Sequence, residues 1–186
     1  MEKVTATQFK ILSIVLLIAL LSWFGIDIHL ASLPMIAKTM HTNKEHMQQS
    51  VSIFLLGMGL SLFVYGPLSD KYGRKPVVIC GLAIGVISNF VSIYCTNINY
   101  FILCRFFQGV GLGVGTGIGR TIFADVLQGE QLASISSYFS TAMSISPLFA
   151  PTIGSYLQHL FGWRSNFIFF RYRMFIRFNF IYQVLS

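Results

Sequence analysis

GPLSDKYGRKP, residues 66–76, sets four charges, Asp70, Lys71, Arg74 and Lys75, within six positions of a chain that is otherwise mostly apolar. Hydrophobic residues make up 54% of the 186 and charged residues 10%, with a mean hydropathy of +0.68. That is the composition of a membrane protein, because one soluble core of this size could not hide so much apolar surface. A spanning helix needs about 20 mostly apolar residues. The sequence around the quoted stretch supplies such segments in series, at 11–33, 49–68, 77–95, 100–122 and 133–157, with a sixth starting from 163. Residues 66–76 are then the polar turn between the second and third spans. The first span follows Lys3 and Lys10 as a secretory signal would, but it is too long for a signal core, carries Asp27 and precedes further spans. It reads as a retained helix.

Short loops rich in Lys and Arg stay on the cytoplasmic side. With the N-terminus inside, the inner flanks hold Lys3, Lys10, Lys71, Arg74, Lys75 and Arg120, against Lys38, Lys44 and Arg164 outside. This distribution predicts a cytoplasmic N-terminus and places residues 66–76 on the cytoplasmic face. It also accounts for most of the net charge of +7. The cations lie at membrane flanks without forming a basic stripe, so nucleic acid is not an expected partner, whereas the lipid bilayer is.

Cys80, Cys95 and Cys104 are odd in number and lie in or near spans, giving neither a disulfide framework nor a metal spacing. His41 and His46 fall in a polar outer loop beside Lys44 and Glu45, which reads as solvated surface rather than a metal site. GVGLGVGTGIG, residues 109–119, has glycine at every second position but lacks the dinucleotide spacing and the P-loop lysine. On a helix it gives two series four residues apart, Gly109, Gly113, Gly117 and Gly111, Gly115, Gly119, that let neighbouring helices approach closely. No nucleophile–base pair, carboxylate pair or metal cluster stands in the short loops, so an enzyme is not expected and no cofactor is implied.

Two charges fall inside spans, Asp27 in the first and Arg105 in the fourth. An ionisable group near the bilayer centre costs roughly 2.5–3.5 kcal/mol on insertion scales and marks function by default. At a rise of 1.5 Å per residue, Asp27 lies about 9 to 10 Å and Arg105 about 8 to 9 Å below the outer ends of their helices. At matching depth they are candidates to pair or to face one polar cavity, with a register-fixing ion pair as the structural alternative.

These residues carry a resemblance. GPLSDKYGRKP resembles the loop motif of the major facilitator superfamily through Gly66, Leu68, Asp70, Gly73, Arg74 and Lys75. LCRFFQGVGLG, residues 103–113, is similar to its fourth-span motif through Arg105, Gln108, Gly109 and Gly111. SPLFAPTIGS, residues 146–155, resembles its antiporter motif through Pro147, Ala150, Pro151 and Gly154, with Ser155 where a second glycine is expected. IDIHLASLP at 26–34, GRTIFAD at 119–125 and GWRSNF at 162–167 are similar to the bicyclomycin-resistance (Bcr/CflA) drug exporters, with His29 in place of an aromatic residue.

The resemblance implies an all-α transmembrane fold, the N-terminal six-helix half of a transporter built as a 3+3 inverted repeat in a bacterial inner membrane. It implies proton-coupled efflux of a small amphipathic or cationic substrate by alternating access. Asp27 and Arg105 would couple proton to substrate, Trp23, Phe24 and Phe54 would line the path, and the proton gradient would supply the energy. Gly66, Asp70, Gly73, Arg74, Lys75 and Asp125 would form a conformational latch. There Gly66 and Gly73 would allow the turn, Asp70 would meet the positive end of a facing helix, and Arg74 would reach Asp125. Pro147 and Pro151 would kink the fifth span.

The likeness covers roughly residues 8–170, within an N-terminal half at 1–170. Residues 171–186, with Arg171, Arg173 and Arg177 among aromatics, depart from an apolar span and read as a frameshifted tail or, alternatively, an interfacial helix. The sequence therefore predicts a truncated transporter that needs a missing C-terminal half or a second copy to enclose a pathway. A non-transporting membrane fragment, or a partner subunit of another transporter, is the alternative.

Overall fold

The structure is a computed structural model that describes residues 27–126 and 129–168, without the side chains of 118–126, 130–132, 138–139, 142–143 and 146. Most of the first span, with Trp23 and Phe24, and the tail at 171–186 lie outside the described residues. All regular structure in the described residues is helical. A helical segment at 27–30 turns through Ala31 and Ser32 into α1 (Leu33–Thr39), which is followed by α2 (Lys44–Tyr72), α3 (Arg74–Tyr94), α4 (Ile98–Val126) and α5 (Gly129–Phe161). A last helical segment covers 164–168. The helices α2 to α5 coincide with the apolar stretches at 49–68, 77–95, 100–122 and 133–157. Among the described residues, α2 and α3 are long and apolar enough to cross a membrane by length and composition.

The helix ends follow local chemistry. Pro34 sits in the first turn of α1, where its missing donor costs nothing. Asn43 caps α2, its side chain accepting from the His46 amide at 3.0 Å. Asn97 does the same for α4 through the Asn99 amide at 2.8 Å. Gly162, at φ +80, closes α5 by donating to the Gln158 carbonyl at 2.8 Å.

Between α2 and α3 the chain reverses at the single residue Gly73, whose φ of +88 disfavours any side chain. This corrects the expectation that Gly66 shares in the turn. Gly66 lies inside α2 with open space beside it, because the helix continues through Pro67 to Tyr72 and one left-handed residue suffices to reverse the chain.

The centre of the bundle is α4, and its two glycine series face different neighbours. A Cβ on Gly109 would strike the Phe54 carbonyl oxygen and one on Gly113 the Ser61 hydroxyl, both on α2, while Gly117 looks at Leu62 of the same helix. Gly111 instead lies against the Gly85 backbone of α3, and Gly81 of α3 against Val114. From α2, Gly57 in turn receives the Phe106 carbonyl. Backbones can meet this closely only where no Cβ intervenes, and dense packing then replaces the hydrophobic drive that lipid does not supply. Tyr65 adds a polar tie, donating to the Val110 carbonyl at 3.0 Å. Side chains such as Phe63, 80% exposed, point away from the bundle.

At the end bearing the α3–α4 loop, an apolar cluster of Ile36, Met47, Ile93, Cys95, Phe101, Trp163 and Phe167 joins α1, α2, α3, α4 and residues 163–168. Arg164 clamps that segment to α3 by donating to the Ile93 carbonyl at 2.8 Å.

Gly109→Val should force α2 and α4 apart and lower the unfolding free energy of the detergent-purified chain by about 1–3 kcal/mol or more, the range for overpacking a close contact. Gly59→Ala, with nothing within 4 Å of its Cβ, should change it by no more than about 1 kcal/mol. Equal effects in thermal or SDS titrations would show that backbone contact does not hold α4 in place.

Candidate functional site

Phe101, Arg105 and Gln108 follow at i, i+4 and i+7 along α4 and so share one face. That face is turned inward, leaving Arg105 and Gln108 each 3% exposed. Arg105 Nη1 donates to Gln108 Oε1 at 3.1 Å. The Gln108 amide nitrogen donates across to α3, to Ser92 Oγ at 2.7 Å and the Ser88 carbonyl at 3.4 Å, and Ser92 Oγ donates to that same carbonyl at 2.8 Å. Around the guanidinium stand the rings of Phe54, Phe101 and Phe167, their centroids 5.5, 5.7 and 5.8 Å from its central carbon. A desolvated cation is stabilised by facing aromatic rings, which here come from α2, α4 and the 164–168 segment.

Among the described residues, Arg105 has no acidic side chain within the 4.0 Å of an ion pair. Its hydrogen bond goes to a neutral amide, so the direct Asp27–Arg105 pair contemplated from the sequence does not form. The two are nevertheless brought into one region. Asp27 is buried at 8% exposure, and two residues on His29 lies edge-on to Phe167, with ring centroids 4.1 Å apart. Phe167 thus contacts both the segment bearing Asp27 and the Arg105 guanidinium.

The fifth-helix motif is placed against the same segment. Ala150 is fully buried, and the absent side chain of Gly154 lets the Ile28 carbonyl approach α5. Asn166 closes the corner, its side-chain nitrogen donating to Ser32 Oγ at 2.6 Å, the Gly154 carbonyl at 3.1 Å and the Ile28 carbonyl at 3.4 Å. Pro147 and Pro151 lie within α5. The sequence signalled Asn166 and Phe167 only as part of GWRSNF, and Ser88 and Ser92 not at all as site residues.

The loop-motif residues form a second locus. Measured along α2 from Phe54 to Asp70, it lies about 24 Å from Arg105 at 1.5 Å per residue. Arg74 Nη1 contacts Asp70 Oδ1 at 3.2 Å and donates to Ser69 Oγ at 2.5 Å. Arg74 is therefore engaged across the Gly73 turn by its own loop, and Asp70 by an arginine. The side chain of Asp125, expected opposite Arg74, lies outside the described residues. Lys71 rests over the Tyr72 ring at 5.2 Å, and Lys75 follows in the first turn of α3, so three cations stand against one carboxylate at this turn.

Comparison with known proteins gives a family. Residues 15–171 match the family model described as Major Facilitator Superfamily. An uncharacterized transporter of Rickettsia bellii is 36% identical over 143 residues, 77% of this chain and 35% of that protein. Multidrug resistance protein D of Escherichia coli is 30% identical over 159 residues, 86% of this chain and 40% of its own length. The bicyclomycin resistance protein homolog of Haemophilus influenzae is 29% identical over 151 residues, 81% and 38% respectively. The chain thus spans about two fifths of the length of these relatives. In fold it matches the proton:xylose symporter XylE at a TM-score of 0.81 and 14% identity, over 94% of this chain and 44% of that one.

The Arg105–Gln108–Ser92 relay gives a prediction. Gln108→Leu should leave the buried guanidinium without its acceptor and cost about 1.5–3 kcal/mol of stability. Adding Arg105→Met should recover part of that loss, because a relay replaced whole by apolar side chains leaves nothing unsatisfied. A double-mutant cycle by SDS titration that gave simple additivity would remove the energetic link between the two residues.

Proposed function

The chain belongs to the major facilitator superfamily, a family of transporters rather than enzymes and of multi-pass membrane proteins, and from that premise we propose that residues 1–170 form the N-terminal half of a proton-coupled exporter of small amphipathic or cationic molecules. On this reading the half is a six-helix 3+3 inverted repeat in a bacterial inner membrane with a cytoplasmic N-terminus, and the pathway closes against a C-terminal half or a second copy. The observation that carries the proposal is the buried Arg105 in its aromatic cage, joined through Phe167 to the segment bearing Asp27. A buried cation and a buried carboxyl kept in one region but not locked in a mutual ion pair suit a carboxyl that exchanges a proton as the protein changes state. The names of the multidrug and bicyclomycin resistance relatives support export over uptake.

In the proposed cycle, Asp27 takes up a proton from the outer side and releases it inward, while substrate is bound near the midplane in the opposite sense. Arg105 supplies a fixed positive charge whose position depends on Phe54, Phe101 and Phe167. Any movement of α2, α4 or the 164–168 segment therefore alters the field at Asp27. The cationic loop at Gly73 acts as the latch, with Asp70 and Arg74 holding the turn rigid for docking against the other half. The energy source is the proton gradient, and no cofactor takes part.

The test joins residues 1–168 to the second half of multidrug resistance protein D and follows ethidium accumulation in cells. The chimera should lower accumulation, and a protonophore should abolish the effect. With Asp27→Asn, accumulation should return to that of cells carrying an empty vector while membrane abundance is kept. Gradient-dependent efflux unchanged by that substitution would remove the proton role of Asp27.

For the latch, Asp70→Asn should impair efflux with little change in stability. The Asp70 side chain is 70% exposed, and surface ion pairs of this kind contribute about 0–1 kcal/mol. A variant that transports at the full rate would show that the ion pair serves only local structure.

A further inference from the structure

The structure brings together two cysteines that the sequence leaves unrelated. Cys95 closes the end of α3, Cys104 lies in the second turn of α4, and their sulfurs are 3.8 Å apart. Cys95 is buried in the apolar cluster around Phe101 and Trp163, whereas Cys104 is half-buried at its edge. The third cysteine, Cys80, is exposed on α3 and four helical turns away from Cys95.

We propose that Cys95 and Cys104 are a redox-active pair that closes into an intramolecular disulfide clasping the end of α3 to α4. Bond formation requires the sulfurs to approach to roughly 2.05 Å. Rotation about the two Cα–Cβ bonds supplies the approach, because the bond Cys95 Sγ makes to the Val91 carbonyl, at 3.5 Å, is weak. Cys104, the more accessible, reacts first. Its thiolate attacks one sulfur of a disulfide oxidant, forming a mixed disulfide and expelling one thiolate. Cys95 then loses its proton and attacks the Cys104 sulfur, expelling nothing but the second oxidant thiolate. Two protein thiols are oxidised by two electrons and one external disulfide is reduced to two thiols, so atoms and electrons balance.

The clasp would fix the short loop at 95–97 over the cluster that positions Phe101 and Phe167, two of the rings around Arg105. The capacity to form it follows from the α3–α4 geometry alone. Its formation in the cell rests on the orientation proposed above, which sets this end of the bundle on the outer, oxidising side where disulfides persist.

Two experiments separate these claims. The purified Cys80→Ser chain is incubated with oxidised glutathione, denatured and treated with a maleimide-linked polymer. The bridge predicts no labelled cysteine before reduction, two after it, and an intact mass lower by two hydrogens rather than higher by glutathionyl groups. Adding Cys95→Ser should leave a single glutathionyl adduct on Cys104. Two free thiols or two adducts in the Cys80→Ser chain would overturn the pair. In cells alkylated before lysis, a bridged pair supports both the clasp and the orientation. Reduced thiols there, with a bridge formed in the purified protein, would uphold the pair and overturn the orientation.

Discussion

Three helix backbones must touch for this bundle to exist. At Gly109 the α4 backbone meets the carbonyl of Phe54, and at Gly111 it meets the backbone of Gly85. In lipid, where burying apolar side chains gains little over leaving them among acyl chains, such contact is a main source of cohesion. The same contact sets the position of the polar residues. Gln108 adjoins Gly109, so once α4 lies against α3 its amide reaches Ser92 and the Ser88 carbonyl. Phe54 is the residue whose carbonyl Gly109 touches, and its ring is one of the three beside the Arg105 guanidinium. Helix packing and the charged site are consequences of one constraint, and widening the α2–α4 gap would disturb both.

Burying a guanidinium is costly, and the solution here spreads compensation over several helices. One hydrogen bond comes from the same helix, that acceptor is held by the next helix, and three ring faces come from three segments. No single element owns the site. Asn166 has a similar role on the other side of Phe167, where one amide binds the segment before α1 to α5 through Ser32, Ile28 and Gly154. The neighbouring Phe167 can contact both His29 and Arg105 because Asn166 fixes the backbone between them.

How much of this the sequence disclosed depends on the range of each interaction. The helices were legible from apolar stretches, and the family from three motifs in order. Arg105 and Asp27 stood out because charge in an apolar run is rare whatever its partners. Glycines four residues apart announced close packing, but helix periodicity reveals only that 109, 113 and 117 share a face, not that the face belongs to α2. The loop motif puts two glycines around the turn, but it does not show that α2 continues through Pro67 to Tyr72 and leaves the reversal to Gly73 alone. Ser92 carries no signal as a site residue, and Asn166 only the GWRSNF likeness, which does not disclose its partners. A neutral polar residue in an apolar chain carries no sign of its own, and the Asn166–Ser32 bond spans 134 positions.

The two loci of the molecule are joined by α2. Phe54 and Asp70 lie on the same helix, and Arg105 is locked to α2 and α3 by backbone contact and by the Gln108 relay. The 29-residue helix is continuous between those points, with Pro67 withholding one backbone donor near its C-terminal end. The α2, α3 and α4 helices form one tightly packed body at the level of Arg105, tied by backbone contact at Gly109 and Gly111 and by the Gln108 relay. What remains able to shift against that body is the 27–32 segment with α5 and residues 164–168, held to it through Arg164, the Phe167 ring and the aromatic cluster around Trp163. Those contacts are ring packing and single hydrogen bonds, and one of them, Phe167, also faces the Arg105 guanidinium. Asp27 belongs to the 27–32 segment and Arg105 to the α2–α3–α4 body, so relative motion of the two alters the separation of the two buried charges.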